Sequence, residues 1–306
     1  KKFEVPKGET KVFIGDSKRE VFVTDGVKHS IPTEEILSGG PPKDGIPSID
    51  NPKFISPAEA DFLDDDSVGL GFVGKGEARF YPYQILVWHE IVNDTIQGDP
   101  ILVTYCPLCA TGVVFEGRVG GEPSEFGVSG MLWRSNLLMY NRTNDPDKES
   151  LWSQVLGEAV LGEFTGERLK VLSADTVQYG AWKQAHSDTK VLSRETGTIR
   201  LYGNDPYGDY YTDTSVSFGA TFNDDRLHPK EFVLGVETDG QFKAYQESSL
   251  PMGTTEDAFA GRTLKIVKDE VGQVRITDES GEEVRIVAGF WFSWLAVHPA
   301  TELYKN

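Results

Sequence analysis

The stretch Ile101-Leu-Val-Thr-Tyr105-Cys106-Pro-Leu-Cys109-Ala-Thr-Gly112-Val-Val-Phe115 reads as a buried strand, a tight turn and a second strand. Ile101–Tyr105 is apolar and rich in β-branched residues, and Gly112–Phe115 resumes the same character after the turn. Upstream, Thr95-Ile-Gln-Gly98-Asp-Pro100 is a turn signal, so the arm ending near Asn93 folds back on Ile101–Tyr105 as a hairpin. Outward from this core the pattern stays β. Ala78–Tyr81, Glu125–Leu132 and Leu137–Tyr140 read as strands, and so do Lys11–Ile14 and Glu20–Thr24. From Phe232 onward a meander is expected, with Asp239-Gly240 as a type I′ hairpin turn and further turns at Asp269–Gln273 and Glu279–Glu282. Gly 32 and Pro 16 together make about one residue in six, which suits many short strands joined by tight turns. Helices are expected at Leu151–Glu158, at Thr176–Ala185 and as a short start at Pro32–Glu35, while Ile85–Asn93 fits either a buried strand or one or two helical turns. The aromatic run Gly289–Pro299 must be packed. The fold class is therefore mainly β, β-rich α+β, built of antiparallel sheets and hairpins with a few short helices. The sequence shows no fixed-period repeat, and the cluster Gly39-Gly-Pro-Pro42 marks the boundary between a small N-terminal arm, 1–42, and a single domain, 43–306.

Thirty Lys+Arg against forty-eight Asp+Glu give a net charge of −18. A surface so acidic repels polyanions, which excludes a sequence-independent nucleic-acid binder and docking on anionic lipid, and it concentrates cations. No apolar run approaches the ~18 residues of a membrane span. The first residues, Lys1-Lys2-Phe3 without Met, lead us to expect a processed chain from which a signal or anchor has been removed. Sequons at Asn93 and Asn141 are compatible with secretion.

The two cysteines cannot make a disulfide framework or a four-thiolate zinc site within one chain. A Cys-x-x-Cys has four common explanations: a redox pair, half of a zinc site, a soft-metal site completed by histidine, or a strained disulfide. If the hairpin pairs with indices summing to roughly 194, His89 lies opposite about residue 105 and its imidazole stands beside Cys106; a one-residue slip turns it to the other face. His298 and Met139 are the next ligand candidates, the latter competing with an ordinary core role. Glu90 and Asp94 flank the supposed site as candidate acids or bases. His29, His186 and His228 read as surface residues. Asn144–Glu149 lacks the spacing of a calcium loop, and Gly117–Gly121 matches no phosphate loop.

The runs Gly45-Ile-Pro-Ser-Ile-Asp50, Ala78-Arg79-x-Tyr81-Pro82, His89-Glu-Ile-Val-Asn-Asp94, Val103-Thr-Tyr-Cys106-Pro-Leu-Cys109, Val128-Ser-Gly130, Leu138-Met-Tyr140, Ser150-Leu-Trp-Ser-Gln154 and Val191-Leu-Ser-x-x-Thr-Gly197 resemble the family catalogued as domain of unknown function 3179. The resemblance covers about Ile46 to Tyr304. It implies an extracytoplasmic or membrane-anchored prokaryotic protein and, because the family's pattern includes His89, Cys106 and Cys109, one site holding all three.

Two thiolates and an imidazole select copper, or alternatively zinc, over hard cations. The leading expectation is thus an extracytoplasmic metalloprotein with a Cys2His site, most readily copper, acting on a small-molecule substrate or an electron-transfer partner. A thiol–disulfide oxidoreductase with Cys106 as attacking thiol is the second. The third is a non-enzymatic binding or scaffold module stapled by a disulfide.

Overall fold

A computed structural model describes residues 10–12, 20–270 and 272–305. It is mainly β, with antiparallel pairing nearly throughout and three α-helices of at most seven residues among the described residues. None is long or apolar enough to cross a membrane.

The cysteine hairpin forms as its composition dictates. Ile91–Ile96 and Asp99–Cys106 pair around Gln97-Gly98, and Asp99–Cys106 continues through a single 3-10 turn, Pro107–Cys109, into Thr111–Glu116. Val171–Leu172 completes this four-stranded sheet. Its cysteine side packs on an eight-stranded sheet ordered 10–12, 21–24, 27–29, 158–162, 150–153, 136–141, 126–133 and 36–38. The segment before residue 43 is therefore woven into the main sheet through strands at both of its edges. The strand expected over Lys11–Ile14 is described as Thr10–Val12, and residues 13–19 lie outside the described residues.

Two helix expectations are corrected. Ser150–Ser153 and Glu158–Gly162 are paired strands, not a helix over Leu151–Glu158. The reason is tertiary. The Asn141 side-chain oxygen accepts from the Ser150 N–H and the Trp152 indole (2.9 and 3.0 Å), and Gly157, left-handed at φ 62°, sits over the Phe115 ring where a Cβ would stand 2.7 Å from it. Within Thr176–Ala185, the strand Ala174–Gln178 takes the first part and the helix starts only at Tyr179.

One unit occurs twice in the chain. The hairpin Val68–Gly74/Glu77–Pro82 is flanked by an antiparallel outer strand, Ala174–Gln178; the helix Tyr179–Ala185 follows and returns as Lys190–Leu192, parallel to the hairpin. The hairpin Phe232–Thr238/Gln241–Gln246 has the same arrangement with Ile286–Phe290, the helix Trp291–Val297 and Glu302–Leu303. In each copy a glycine lies beneath an indole. An added Cβ would come within 2.3 Å of Trp182 at Gly71 and within 2.4 Å of Trp294 at Gly235. Each indole N–H donates to the threonine seven residues on, Thr189 (2.8 Å) and Thr301 (2.9 Å). Each also packs on the histidine four residues on, with ring centroids 4.1 Å apart for His186 and 4.2 Å for His298. A second hairpin follows in both copies, 91–96/99–106 and 253–259/262–268. Its aspartate, Asp94 or Asp257, accepts from Tyr81 (2.6 Å) or Tyr245 (2.7 Å) and pairs with Arg79 or Lys243. No fixed period shows in the sequence because residues 117–173 interrupt only the first copy.

Overpacking a glycine against an aromatic face costs about 1–3 kcal/mol. Gly71→Ala and Gly235→Ala should each lower the free energy of unfolding by that amount in denaturant titrations, whereas Met252→Ala, at a side chain 55% exposed, should change it by no more than about 0.5 kcal/mol.

Candidate functional site

Cys106 closes the Asp99–Cys106 strand and Cys109 ends the 3-10 turn that follows; both are free and fully buried. The partner that meets them is the hairpin turn Trp133–Asn136, whose Arg134 and Ser135 are both left-handed (φ 50° and 66°). That conformation aims the Ser135 carbonyl at both sulfurs, 3.4 Å from Cys109 Sγ and 3.7 Å from Cys106 Sγ. The Asn136 amide donates to Cys109 Sγ at 3.7 Å. The same amide donates to Gln154 Oε1 (3.0 Å), and Gln154 donates to Thr104 Oγ1 (3.1 Å) and the Thr111 carbonyl (2.9 Å).

The two thiols differ in charge preference. Burial pushes the Cys106 thiol well up, and its hydrogen bond to Cys109 and the Cys109 charge push the same way. Burial also opposes ionisation of Cys109, but donors at the Cys106 thiol, the Ser293 hydroxyl and the Asn136 amide outweigh it and bring that thiol below its ordinary value. Both thiols face the Ser135 carbonyl, which opposes a second negative charge on the pair once one proton has left.

Glu90, not His89, is the side chain that feels these sulfurs. Ile91 pairs with Thr104, one residue from the expected register, and Glu90 is left-handed (φ 59°), which breaks the ladder and exchanges the faces of its neighbours. Burial first, and the Cys106 sulfur second, push the Glu90 carboxyl well up, which favours its protonated form. His89 turns away. Its Nδ1 donates to the Pro47 carbonyl (2.7 Å) and its Nε2 accepts from the Tyr202 hydroxyl (2.7 Å). Burial lowers its pKa and keeps it neutral. With both nitrogens occupied, the imidazole does not join the cysteines as a ligand.

The remaining candidates separate likewise. Met139 packs in the same core as Cys106 and Cys109. Asp94 is taken by Arg79 and Tyr81, an ion pair repeated in the second copy. His298 stacks on Phe242 (centroids 3.8 Å) and Trp294, in the position His186 holds in the first copy, and the structure does not bring it to the cysteine turn. Among the described residues no three His, Cys, Asp or Glu side chains stand close enough to hold a metal ion.

The sequence reading missed the cover of the site. Residues 202–213 lie over it. Tyr202 holds His89, Tyr207 and Tyr210 pack on the cysteine core, and the Tyr210 hydroxyl donates to the Leu108 carbonyl (2.9 Å). The Lys230 ammonium anchors this cover to the Tyr210 carbonyl and the Asp213 carboxylate, 3.5 Å from the centre of the Tyr210 ring. Four tyrosines within Tyr202–Tyr211 were the available signal.

The family model described as "protein of unknown function (DUF3179)" matches residues 43–287. The chain belongs to the DUF3179 family. No curated protein and no solved structure matches it. In this DUF3179 chain the matched region contains the cysteine turn, the Ser135-Asn136 turn, Glu90 and the tyrosine cover.

Glu90 gives the site a pH signature. Below its unfolded pKa near 4.5 the carboxyl is protonated in both states. Above it the unfolded chain ionises and the folded one does not, so stability falls by up to about 1.4 kcal/mol per pH unit until the raised folded pKa is reached. Glu90→Gln has no proton to lose. Its unfolding free energy should exceed that of the wild type by a margin near zero at pH 4.5 that widens toward neutrality; urea titrations at several pH values check this, and a constant margin would count against it.

Proposed function

We propose that Cys106 and Cys109 are a redox-active dithiol that exchanges with a disulfide-bearing partner, with Glu90 moving the proton. The observation that carries this reading is the unequal setting of two free cysteines at the ends of one 3-10 turn, both sulfurs on the Ser135 carbonyl but the Asn136 amide on Cys109 alone. This setting favours charge on one sulfur and the thiol on the other, beside a buried carboxyl whose ionisation is opposed. The thiolate character falls on Cys109, so the attacking sulfur is Cys109 and not the Cys106 favoured by the sequence reading.

In the first step Cys109 attacks one sulfur of the substrate disulfide. The S–S bond breaks, the departing thiolate takes the Glu90 proton, and a mixed disulfide remains. In the second step the Glu90 carboxylate takes the Cys106 proton, Cys106 attacks Cys109 Sγ, and the second substrate sulfur leaves as thiolate. The substrate gains two electrons, the dithiol becomes a disulfide, and Glu90 ends protonated as it began. An extracytoplasmic setting fits such an exchange, because disulfides persist there.

The duplicated unit supports a chemical rather than a structural role for the cysteines. The second copy makes the connection corresponding to Cys106–Cys109 with a turn in which the Asp269 N–H meets the Gln273 carbonyl (3.0 Å), and no cysteine is needed to close it.

A second reading keeps copper. Two thiolates, with the Met139 thioether in the same core, would offer Cu(I) a soft sulfur set with neither His89 nor a third charged ligand.

Reaction with oxidised glutathione, followed by mass spectrometry, separates the readings. Cys106→Ser should accumulate a stable mixed disulfide at Cys109 at least about tenfold faster than Cys109→Ser forms one at Cys106. Glu90→Gln should slow closure of the protein disulfide about a hundredfold. Thiols that resist glutathione disulfide while one equivalent of Cu(I) binds and is lost in either serine variant would replace the exchange reading with the copper one.

A further inference from the structure

Cys106 and Cys109 are 1% and 0% exposed, so neither sulfur meets a partner disulfide until the cover above them is displaced. That cover differs from the rest of the fold. Between Lys190–Leu192 and Phe232–Thr238 the chain forms no strand or α-helix, only the 3-10 turn Gly208–Tyr211. Two left-handed glycines bracket its middle, Gly203 (φ 92°) and Gly219 (φ 78°). A Cβ added at Gly203 would meet nothing nearer than 3.8 Å, so this glycine serves its backbone conformation and not close packing. Between the glycines the segment holds its own shape. Asp205 accepts from the Tyr207 N–H (2.8 Å), the Asp209 carbonyl from the Thr212 and Asp213 N–H groups (3.1 and 3.2 Å), and Asp213 from the Ser215 N–H (3.0 Å).

Its ties to the rest of the protein fall on the site itself. The Tyr210 hydroxyl donates to the Leu108 carbonyl inside the cysteine turn. The Ser217 and Phe218 carbonyls accept from the Ser135 hydroxyl and N–H, the latter at 3.0 Å, and the Ser135 carbonyl is the one that faces both sulfurs. Phe218 makes its bond in a left-handed conformation (φ 53°), a strained one for a bulky side chain. Residues 204–218 carry three aspartates and no basic side chain, and the fully buried Lys230 ammonium supplies the counter-charge, bound to Asp213 and the Tyr210 carbonyl. Beside the covered ground lies a cavity of about 840 Å³ between the two copies of the repeated unit, bordered by Asp205 and Tyr211 of this segment and by Tyr105 and Ala110 next to the cysteines.

We propose that residues 204–218 are a strap that swings about Gly203 and Gly219 to admit the disulfide partner, with Lys230 as its latch. A segment held by a few local ties opens at lower free energy than the sheets beneath it, whose ladders are continuous. Tyr207 and Tyr210, packed on the cysteine core, return it to the closed state. The cavity gives the incoming group room beside the turn.

The identity of the admitted partner rests on the exchange reading; the opening itself does not, and alkylation reads it alone. In the reduced full chain, labelling of Cys109 by iodoacetamide, followed by mass spectrometry, should run at a rate that low urea leaves unchanged, because local opening exposes little surface. Lys230→Met should speed labelling at least about tenfold, as the loss of a charge-assisted hydrogen bond implies, and Tyr210→Phe about fivefold. Amide hydrogen exchange in both variants should quicken within residues 204–218 and not in the strands Ile91–Ile96 and Asp99–Cys106. Labelling that rises with urea in step with global unfolding, labelling that neither substitution speeds, or exchange that quickens equally in the core strands overturns the strap. Fast alkylation of Lys230→Met with no mixed disulfide from oxidised glutathione would keep the strap and discard the exchange reading.

Discussion

The side-chain amide of Asn136 ties its own strand and the neighbouring Ser150–Ser153 strand of the eight-stranded sheet to the cysteine turn. Its nitrogen donates to Cys109 Sγ and to Gln154, and its oxygen accepts from Ser153 Oγ (3.2 Å) and the Val155 N–H (3.0 Å). Through Gln154 the network reaches Thr104 and Thr111, on the two strands joined by the cysteine turn. All these side chains are buried, where a satisfied network is strong and a half-satisfied one is costly. The eight-stranded sheet is therefore locked to the cysteine hairpin in one relative position, and that position sets which sulfur receives a donor. The polarity of the dithiol follows from this join together with the Cys106 thiol and with Ser293 of the helix Trp291–Val297.

The duplicated unit explains the remaining layout. Each copy supplies a glycine-floored indole, a threonine clamp and a buried Tyr–Asp–cation cluster, and these account for Asp94, His186 and His298 as parts of the scaffold. Chemistry is concentrated where the copies differ. The first copy carries the cysteine turn and receives the insertion that brings Asn136 and Gln154 over it. A repeated scaffold with unequal embellishments places the cysteine pair beside the cavity between the copies, since Tyr105 and Ala110, which border the cysteine turn, also border the cavity.

Much of the fold was legible because local signals agreed with tertiary demand. The β-branched run at Ile101–Tyr105, the Gln97-Gly98 turn and the Asp239-Gly240 turn all form as their residues suggest, and the aromatic run near the C-terminus is packed as a helix. Leu151–Glu158 is strand, turn and strand rather than the expected helix because its partners, Asn141 and Phe115, lie elsewhere in the chain and outweigh helical spacing. The cysteines stood out, and Glu90 was noticed only as a neighbour. Its left-handed backbone, which carries it rather than His89 toward the sulfurs, falls on a residue type that rarely signals such a conformation. Arg134 and Ser135 hide the turn that presents Asn136 for the same reason. The duplication was invisible because the insertion and sequence divergence leave little beyond an indole, a histidine and a threonine at matched spacing.

The central claim is that the join between the sheets places the negative charge of the pair on Cys109. Ultraviolet thiolate absorbance followed against pH in the folded single-serine variants measures this directly. Cys106→Ser, which retains Cys109, should show a thiolate step below the ordinary cysteine value of 9.0, and Cys109→Ser a step above it. The opposite order, or the same midpoint in both variants, would contradict the account.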